Sequence, residues 1–235
     1  MKRKRKETAK EATDVREMLH DRSEAGRLLA EQLSALRDDR DVVVLGLPRG
    51  GVPVACGIAT DLRLPLDVFL VRKLGVPGYE ELAMGAVASG GVEIVNPDIV
   101  EELQLSRKDV EKVVTKEMLE LRRREVVFRG IRPAFNLFGR TVILVDDGIA
   151  TGSTMRAAIE GIKRLGAARI IVAAGVAPLS TYMILRAEVD DVVCLLTPRD
   201  FRAVGIFYED FPQLSDEDVC RFLEDAWRKG ARIAA

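Results

Sequence analysis

The sequence predicts an α/β fold: a mostly parallel, twisted sheet with helices on both faces, plus a small hood or lid subdomain. Three observations carry that expectation. Short apolar runs recur at Val42–Leu47, Val142–Val145, Arg169–Val176 and Val192–Leu196, and unbroken apolarity fits strands buried on both faces of a parallel sheet. Segments of helical periodicity lie between the runs, and such alternation is the signature of crossover units. Two of the runs end in glycine-bearing loops that carry charges, at the strand ends where open α/β sheets bind ligands.

The chain has 235 residues, 48% hydrophobic and 31% charged, with a net charge of -1. Its length fits one domain with an elaboration. We read a basic, frayed start over 1–16 and a single domain over 17–235, with a helical insertion at about 97–130. The near-neutral balance demands neither nucleic acid nor a membrane as partner. Lys2 to Lys6 read either as a nucleic-acid tether or, more simply, as solvated terminal charge. Cys56, Cys194 and Cys220 are far apart and form no CxxC pair, so neither a disulfide framework nor a zinc site is suggested. With no membrane-length apolar run, a cytoplasmic setting is expected.

In chain order, Ala25, Leu28, Leu29, Leu33 and Leu36 trace one face of a helix from Ser23 to about Leu36. The sole histidine, His20, lacks a second histidine for a metal, while acid–base chemistry stays open to it. Val42–Leu47 is a buried strand, broken by Pro48–Gly51 before a helix over about 52–62. Arg49 brings a planar donor fork suited to phosphate oxygens, and Gly50 and Gly51 remove bulk and permit unusual backbone angles. The alternative is a plain strand-to-helix turn, which explains the glycines but not the arginine.

Leu66–Lys73 reads as one further strand ending in two cations, Arg72 and Lys73, and the following LGVPGYEELAMG as a mobile segment. The cations either meet a diphosphate or simply face solvent. Met84–Ala88 and Val92–Val95 form a hairpin. Ser106 with Asp109 resembles a capping box at the head of a helix whose Val110, Val114, Met118 and Leu121 share a face. Arg122–Arg124 resemble a nucleic-acid patch, but Glu117, Glu120 and Glu125 are interleaved, so an ion-paired helix surface is favoured.

In the stretch Thr141–Thr154, four apolar residues run into Asp146 and Asp147. A loop of glycines, small residues and hydroxyls follows and opens a helix marked by Met155, Ala158, Ile159, Ile162 and Leu165. A helix N-terminus offers unpaired N–H groups and a dipole that favours anions, so Gly148, Ile149, Ala150, Thr151, Gly152, Ser153 and Thr154 make a phosphate cradle. Two carboxylates beside it would repel a bare anion. They fit a ligand that also offers hydroxyls, as a ribose does, or a bridging cation, as a diphosphate does. A Walker loop is excluded because Ser153 follows Gly152 where lysine is needed, and no GxGxxG occurs. The alternative is an ordinary strand and turn. Finally, Ser215 with Asp218 caps a last helix with Val219, Phe222, Leu223 and Ala226 facing inward.

This stretch closely resembles the phosphoribosyl diphosphate (PRPP) binding motif of type I phosphoribosyltransferases. The Pro48–Gly51 loop resembles their pyrophosphate loop, and Arg72–Lys73 resembles a segment of the adenine enzymes. The chain is most similar to the group sharing RGGVP and DDGIATG. Thr197–Phe211 resembles, more loosely, the base-binding segment of the hypoxanthine-guanine enzymes. The resemblance implies a base-binding hood at about 197–212, with Phe201 stacking on the base and Asp210 reading its edge; the alternative is that these aromatics pack the core or a lid.

It further implies PRPP and a small-molecule acceptor as partners, a homodimer, and Mg²⁺ held mainly by PRPP with no protein metal ligand directly assigned. Asp146 and Asp147 would hold the ribose hydroxyls, and Arg49, Gly50, Gly51, Arg72 and Lys73 the pyrophosphate. Transfer of the 5-phosphoribosyl group to a nitrogen of a nucleobase, as in purine salvage, is the implied activity; a PRPP- or nucleotide-sensing regulator is the alternative. Ala150 stands where the hypoxanthine-guanine enzymes carry an Asp for the acceptor's proton, leaving Glu80, Glu81 or a water.

Overall fold

The computed structural model describes residues 18–130 and 132–229. The expected basic start and the Lys2–Lys6 tether lie outside the described residues. The α/β expectation is borne out: five parallel strands form the main sheet, in the order β2 (Leu66–Val68), β1 (Val42–Gly46), β6 (Thr141–Gly148), β7 (Arg169–Val176) and β8 (Asp191–Leu196). β1 pairs β6 from Val42↔Thr141 to Gly46↔Val145. Alternate residues of these strands enter two cores, Val42, Val44, Ile143 and Val145 on one face and Val43, Leu45, Val142 and Leu144 on the other. Burial on both faces is why the runs carry no polar alternation.

The first core is covered by α1 (Arg22–Gln32), α2 (Gly51–Leu62) and α7 (Asp216–Lys229). Asp21 caps α1 by accepting the Glu24 N–H at 2.7 Å. The cap of α7 is complete: Ser215 Oγ accepts the Asp218 N–H at 3.1 Å, and the Asp218 carboxylate accepts the Ser215 N–H at 2.9 Å. The second core is covered by α5 (Ser153–Arg164), whose Met155, Ala158, Ile159 and Ile162 form the inward stripe that their spacing predicts. A further helix, α6 (Leu179–Glu188), links β7 to β8.

The sequence reading needs correction between Leu66 and Gly85. Leu66–Lys73 is not one strand. Its first part, β2, joins the parallel sheet, whereas Val71–Val76 (β3) pairs antiparallel with Tyr79–Ala88 (β4) in a separate sheet that Val92–Val95 (β5) completes. The segment expected to be mobile is the β3–β4 hairpin, turning at Pro77–Gly78, where Gly78 has φ +81°. Leu66–Val68 is buried and Val71–Lys73 is part-exposed, but both read as extended chain with no glycine or proline between them, so local pattern does not mark the switch of sheet.

Across this second sheet lie α3 (Pro97–Glu102) and α4 (Arg107–Arg129). Ser106 caps α4, but Asp109 returns its carboxylate to the Ser106 hydroxyl rather than to the backbone N–H, so the box is half made. At the far end of α4, buried Arg129 grips buried Asp67 of β2 with Nε at 2.8 and 2.9 Å from its two oxygens, and also bonds Glu125 and the Val68 carbonyl. Burial raises the Asp67 carboxyl above its ordinary range while Arg129 opposes the rise. This pair fastens the helical insertion to the main sheet. Among the described residues no helix is long and apolar enough to cross a membrane.

Candidate functional site

The chain leaves β1 toward β2 on one side and β6 toward β7 and β8 on the other. The carboxyl ends of β1 and β6 therefore flank the switch point, where open α/β sheets form their ligand crevice. Both loops singled out in the sequence meet there. They touch: a Cβ on Gly50 would lie 1.9 Å from Asp147 Oδ2, and one on Gly51 would lie 2.4 Å from the Val145 carbonyl. Gly50 has φ -66° and ψ -34°, ordinary helical angles. The glycine there is thus required by close approach, not by unusual backbone angles. The Pro48–Arg49 peptide is cis.

The two carboxylates have different surroundings, because adjacent strand residues point to opposite faces. Asp147 is 8% exposed. Its Oδ2 accepts from Arg22 Nε at 2.8 Å, and its carbonyl accepts from Tyr208 Oη at 2.6 Å. The same guanidinium donates to the Pro212 carbonyl at 2.9 Å and lies 3.7 Å from the centroid of the Phe211 ring. Asp146 is half-buried, accepts the Asp147 N–H at 2.9 Å, and has no ion-pair partner among the described residues. Burial, then the neighbouring Asp147 charge, pushes its carboxyl well above the ordinary range, with distant Arg22 opposing.

The loop after Asp147 opens α5. Ile149 is buried and its N–H bonds the Val176 carbonyl at 2.8 Å; the Ala150 carbonyl accepts from Thr181 Oγ1 at 2.8 Å. Gly152 takes φ +78° at the cap position, a left-handed conformation that favours glycine. The backbone N–H groups of Thr151, Gly152 and Thr154 find no acceptor among the described residues, and the hydroxyls of Thr151 and Ser153 lie 3.1 Å apart on an exposed surface with Thr154. Free N–H groups on a helix end make an anion site.

The cations are distributed. Arg49 is exposed and has no carboxylate partner among the described residues; it lines one cavity with Arg72. Arg72 is held by Glu117 at 2.6 Å through Nε. Exposed Lys73 and Glu80 line a neighbouring cavity of about 690 Å³ that Arg72 also borders. Glu81 is exposed on the same hairpin.

Thr197–Phe211 closes over the strand ends. Val204 meets Gly148, where a Cβ would come within 2.3 Å of it, and Tyr208 reaches Asp147 as described. Phe201 stacks on Phe207 with centroids 5.7 Å apart. Asp210 lines a different, small cavity with Asp21, Arg22 and Pro53, so the structure does not bring Phe201 and Asp210 to a common cavity. The segment is zipped to the residues before α1: Leu19 bridges Tyr208 in parallel, Asp210 N–H bonds the His20 carbonyl at 2.9 Å, and His20 Nδ1 lies 2.8 Å from Glu209. That hydrogen bond raises the exposed imidazole's pKa. His20 thus has a place on the surface clasp.

Among the described residues no three His, Cys, Asp or Glu side chains converge as a metal cage. Two adjacent carboxylates at a strand end fit a cation that brings most of its oxygens from a ligand, as Mg²⁺ does.

Sequence reasoning missed Arg22 and Thr181; Tyr208 it read only as one of the aromatics that pack the core or a lid, and Tyr208 is buried in the core. One signal existed for Arg22: it is the first residue of α1, an end where the helix dipole disfavours a cation.

A family model described as "Phosphoribosyl transferase domain" matches residues 15–209. "Putative phosphoribosyl transferase Rv0571c" of Mycobacterium tuberculosis is 44% identical over 218 residues, covering 93% of this chain and 49% of that protein. The chain thus spans about half the length of these curated relatives. "Bifunctional protein PyrR" of Clostridioides difficile is 31% identical over 94 residues, 38% of this chain and 53% of that protein. The crystal structure of TT1426 from Thermus thermophilus is 42% identical with a TM-score of 0.77, covering 88% of this chain and 98% of that one.

Proposed function

The chain belongs to the phosphoribosyl transferase domain family, and from that premise we propose that it transfers the 5-phosphoribosyl group of PRPP to a nitrogen acceptor, a nucleobase, releasing pyrophosphate. The observation that carries the reading is the switch-point crevice, where a helix end with free N–H groups, two carboxylates and an arginine loop meet. A ribose 5-phosphate bearing a diphosphate is the ligand that uses all three.

Thr151–Thr154 cradle the 5-phosphate through N–H groups and hydroxyls. Asp146 and Asp147 face the ribose hydroxyls. Asp147 does so from its pair with Arg22, which fixes the carboxylate's orientation. Arg49, Arg72 and Lys73 hold the diphosphate. As the bond to pyrophosphate breaks, positive charge develops on the ribose ring, and the two carboxylates stabilise it more than the ground state. Loss of one such preorganised contact raises the barrier by about 3 kcal/mol. Mg²⁺ would be held chiefly by PRPP itself and would neutralise charge on the leaving group.

Residues 197–212 form the hood over the acceptor, with Phe201 as its stacking surface, and 97–130 the insertion beside the diphosphate. Ala150 has no group for the acceptor's proton, which passes to Glu80, Glu81 or water. A cytoplasmic homodimer is part of the same reading.

The test is titration calorimetry with PRPP and Mg²⁺ on wild type and on Asp146→Asn/Asp147→Asn. We expect binding to wild type and none to the folded double variant; unchanged affinity would overturn the reading. A pyrophosphate-release screen across nucleobases then identifies the acceptor. Silence across the panel with PRPP still bound would point to the sensor instead.

A further inference from the structure

Arg122–Arg124 look alike in sequence, but the fold separates them. Arg123, itself exposed, and half-buried Arg124 border a cavity of about 560 Å³ shared with Arg49, Arg72, Glu120 and Asp216, whereas Arg122 lines no part of it. Guanidiniums from the β1 loop, β3 and α4 therefore face one space. The two lining carboxylates offset only part of that charge. Arg123 makes a fork with Glu120, Nε at 2.7 Å and Nη2 at 2.8 Å. Arg124 bonds Asp216 of α7 at 3.0 Å through Nη2, and Arg72 is held from behind by Glu117. Arg49 has no such partner among the described residues.

A guanidinium carries five donors, so Arg49, Arg72 and Arg124 keep free N–H groups toward the cavity after these pairs are made. Converging forks of this kind recognise phosphate oxygens bidentately. The position selects among phosphates. Pro48 and Arg49 form the cavity wall, and the next residue, Gly50, abuts Asp147. The cavity is thus joined to the acidic motif through the Pro48–Gly51 loop, and no residue of the α5 cradle lines it.

We propose that Arg123 and Arg124 complete, with Arg49 and Arg72, a binding site for a diphosphate group, and that Glu120 and Asp216 hold the guanidiniums until the anion displaces them. The site deepens the phosphoribosyl-transfer reading and rests on it for the molecule that carries the diphosphate. The helical insertion thereby becomes part of the ligand site.

The experiment is calorimetry of the full chain with inorganic pyrophosphate and Mg²⁺, and separately with ribose 5-phosphate, which reports the cradle alone. Arg123→Gln/Arg124→Gln is expected to weaken pyrophosphate by about tenfold or more, the usual worth of a charge-assisted contact, with ribose 5-phosphate unaffected. Glu120→Gln frees Arg123 and is expected to tighten pyrophosphate, a gain that a merely structural role would not produce. Arg123→Gln alone, whose side chain is 62% exposed and pairs only within its own helix, serves if the double variant unfolds. Unchanged pyrophosphate affinity in the folded arginine variants would overturn the site. If ribose 5-phosphate and PRPP fail to bind wild type, it is the phosphoribosyl reading that falls. Competition separates the sources: pyrophosphate excluded by PRPP marks the site as PRPP's own, and pyrophosphate or a nucleoside triphosphate binding alongside PRPP, with loss in the variants, marks a separate nucleotide.

Discussion

Replacing Arg22 by Gln removes the guanidinium that meets Asp147, the Pro212 carbonyl and the Phe211 ring together. The Arg22 and Asp147 side chains are only 10% and 11% exposed, so water does not replace the lost partner. Stranding one charge of a buried pair costs about 3–5 kcal/mol. Loss of the carbonyl bond and of the ring contact adds about 1 kcal/mol each. The sum is about 5–7 kcal/mol at pH 7, or at about 2–4 °C per kcal/mol a fall in Tm of roughly 10–28 °C.

Urea unfolding of wild type and variant at pH 7 measures it. Arg22→Lys keeps the charge but loses the planar fork, and is expected to fall between. Adding Asp147→Asn to Arg22→Gln should recover most of the loss, since removing both charges strands neither. A deficit under about 1 kcal/mol at pH 7, or no recovery on adding Asp147→Asn, would refute the reasoning.

Asp146→Asn should separate stability from binding. The folded-state pKa of Asp146 is raised, so its stabilising contribution is present at low pH and is lost as pH rises through that raised value. The variant is therefore expected to be more stable than wild type at pH 8, with the gap closing below about pH 4, while PRPP affinity falls; equal urea midpoints at both pH values would contradict this. Gly50→Ala places a methyl against Asp147 Oδ2, and is expected to cost about 1–3 kcal/mol by overpacking and to weaken PRPP in calorimetry; native affinity would show that the loops do not touch. Tyr208→Phe leaves the Asp147 carbonyl without its 2.6 Å donor, for a loss of about 1–3 kcal/mol in urea unfolding.

The sequence by itself determined the parallel sheet, the amphipathic α5, the Ser106 and Ser215 caps of α4 and α7, and the two loops that meet at the switch point. Each rests on signals within a few residues of one another: apolar runs, helical spacing, a glycine after a carboxylate. What only the tertiary structure decided lies between distant segments. The break of Leu66–Lys73 into two sheets was hidden because both halves read as extended chain, with no glycine or proline between them to mark the switch. For Gly50 the sequence offered two reasons, absence of bulk and backbone freedom, and proximity to Asp147 with ordinary helical angles selected the first. Arg123 and Arg124 could be assigned to a face only once α4 had been laid beside β3 and the Arg49 loop. The partner of Asp147 lies 125 residues away at the start of α1. Charge pairing depends on separation in space and on burial, and neither is written in local spacing.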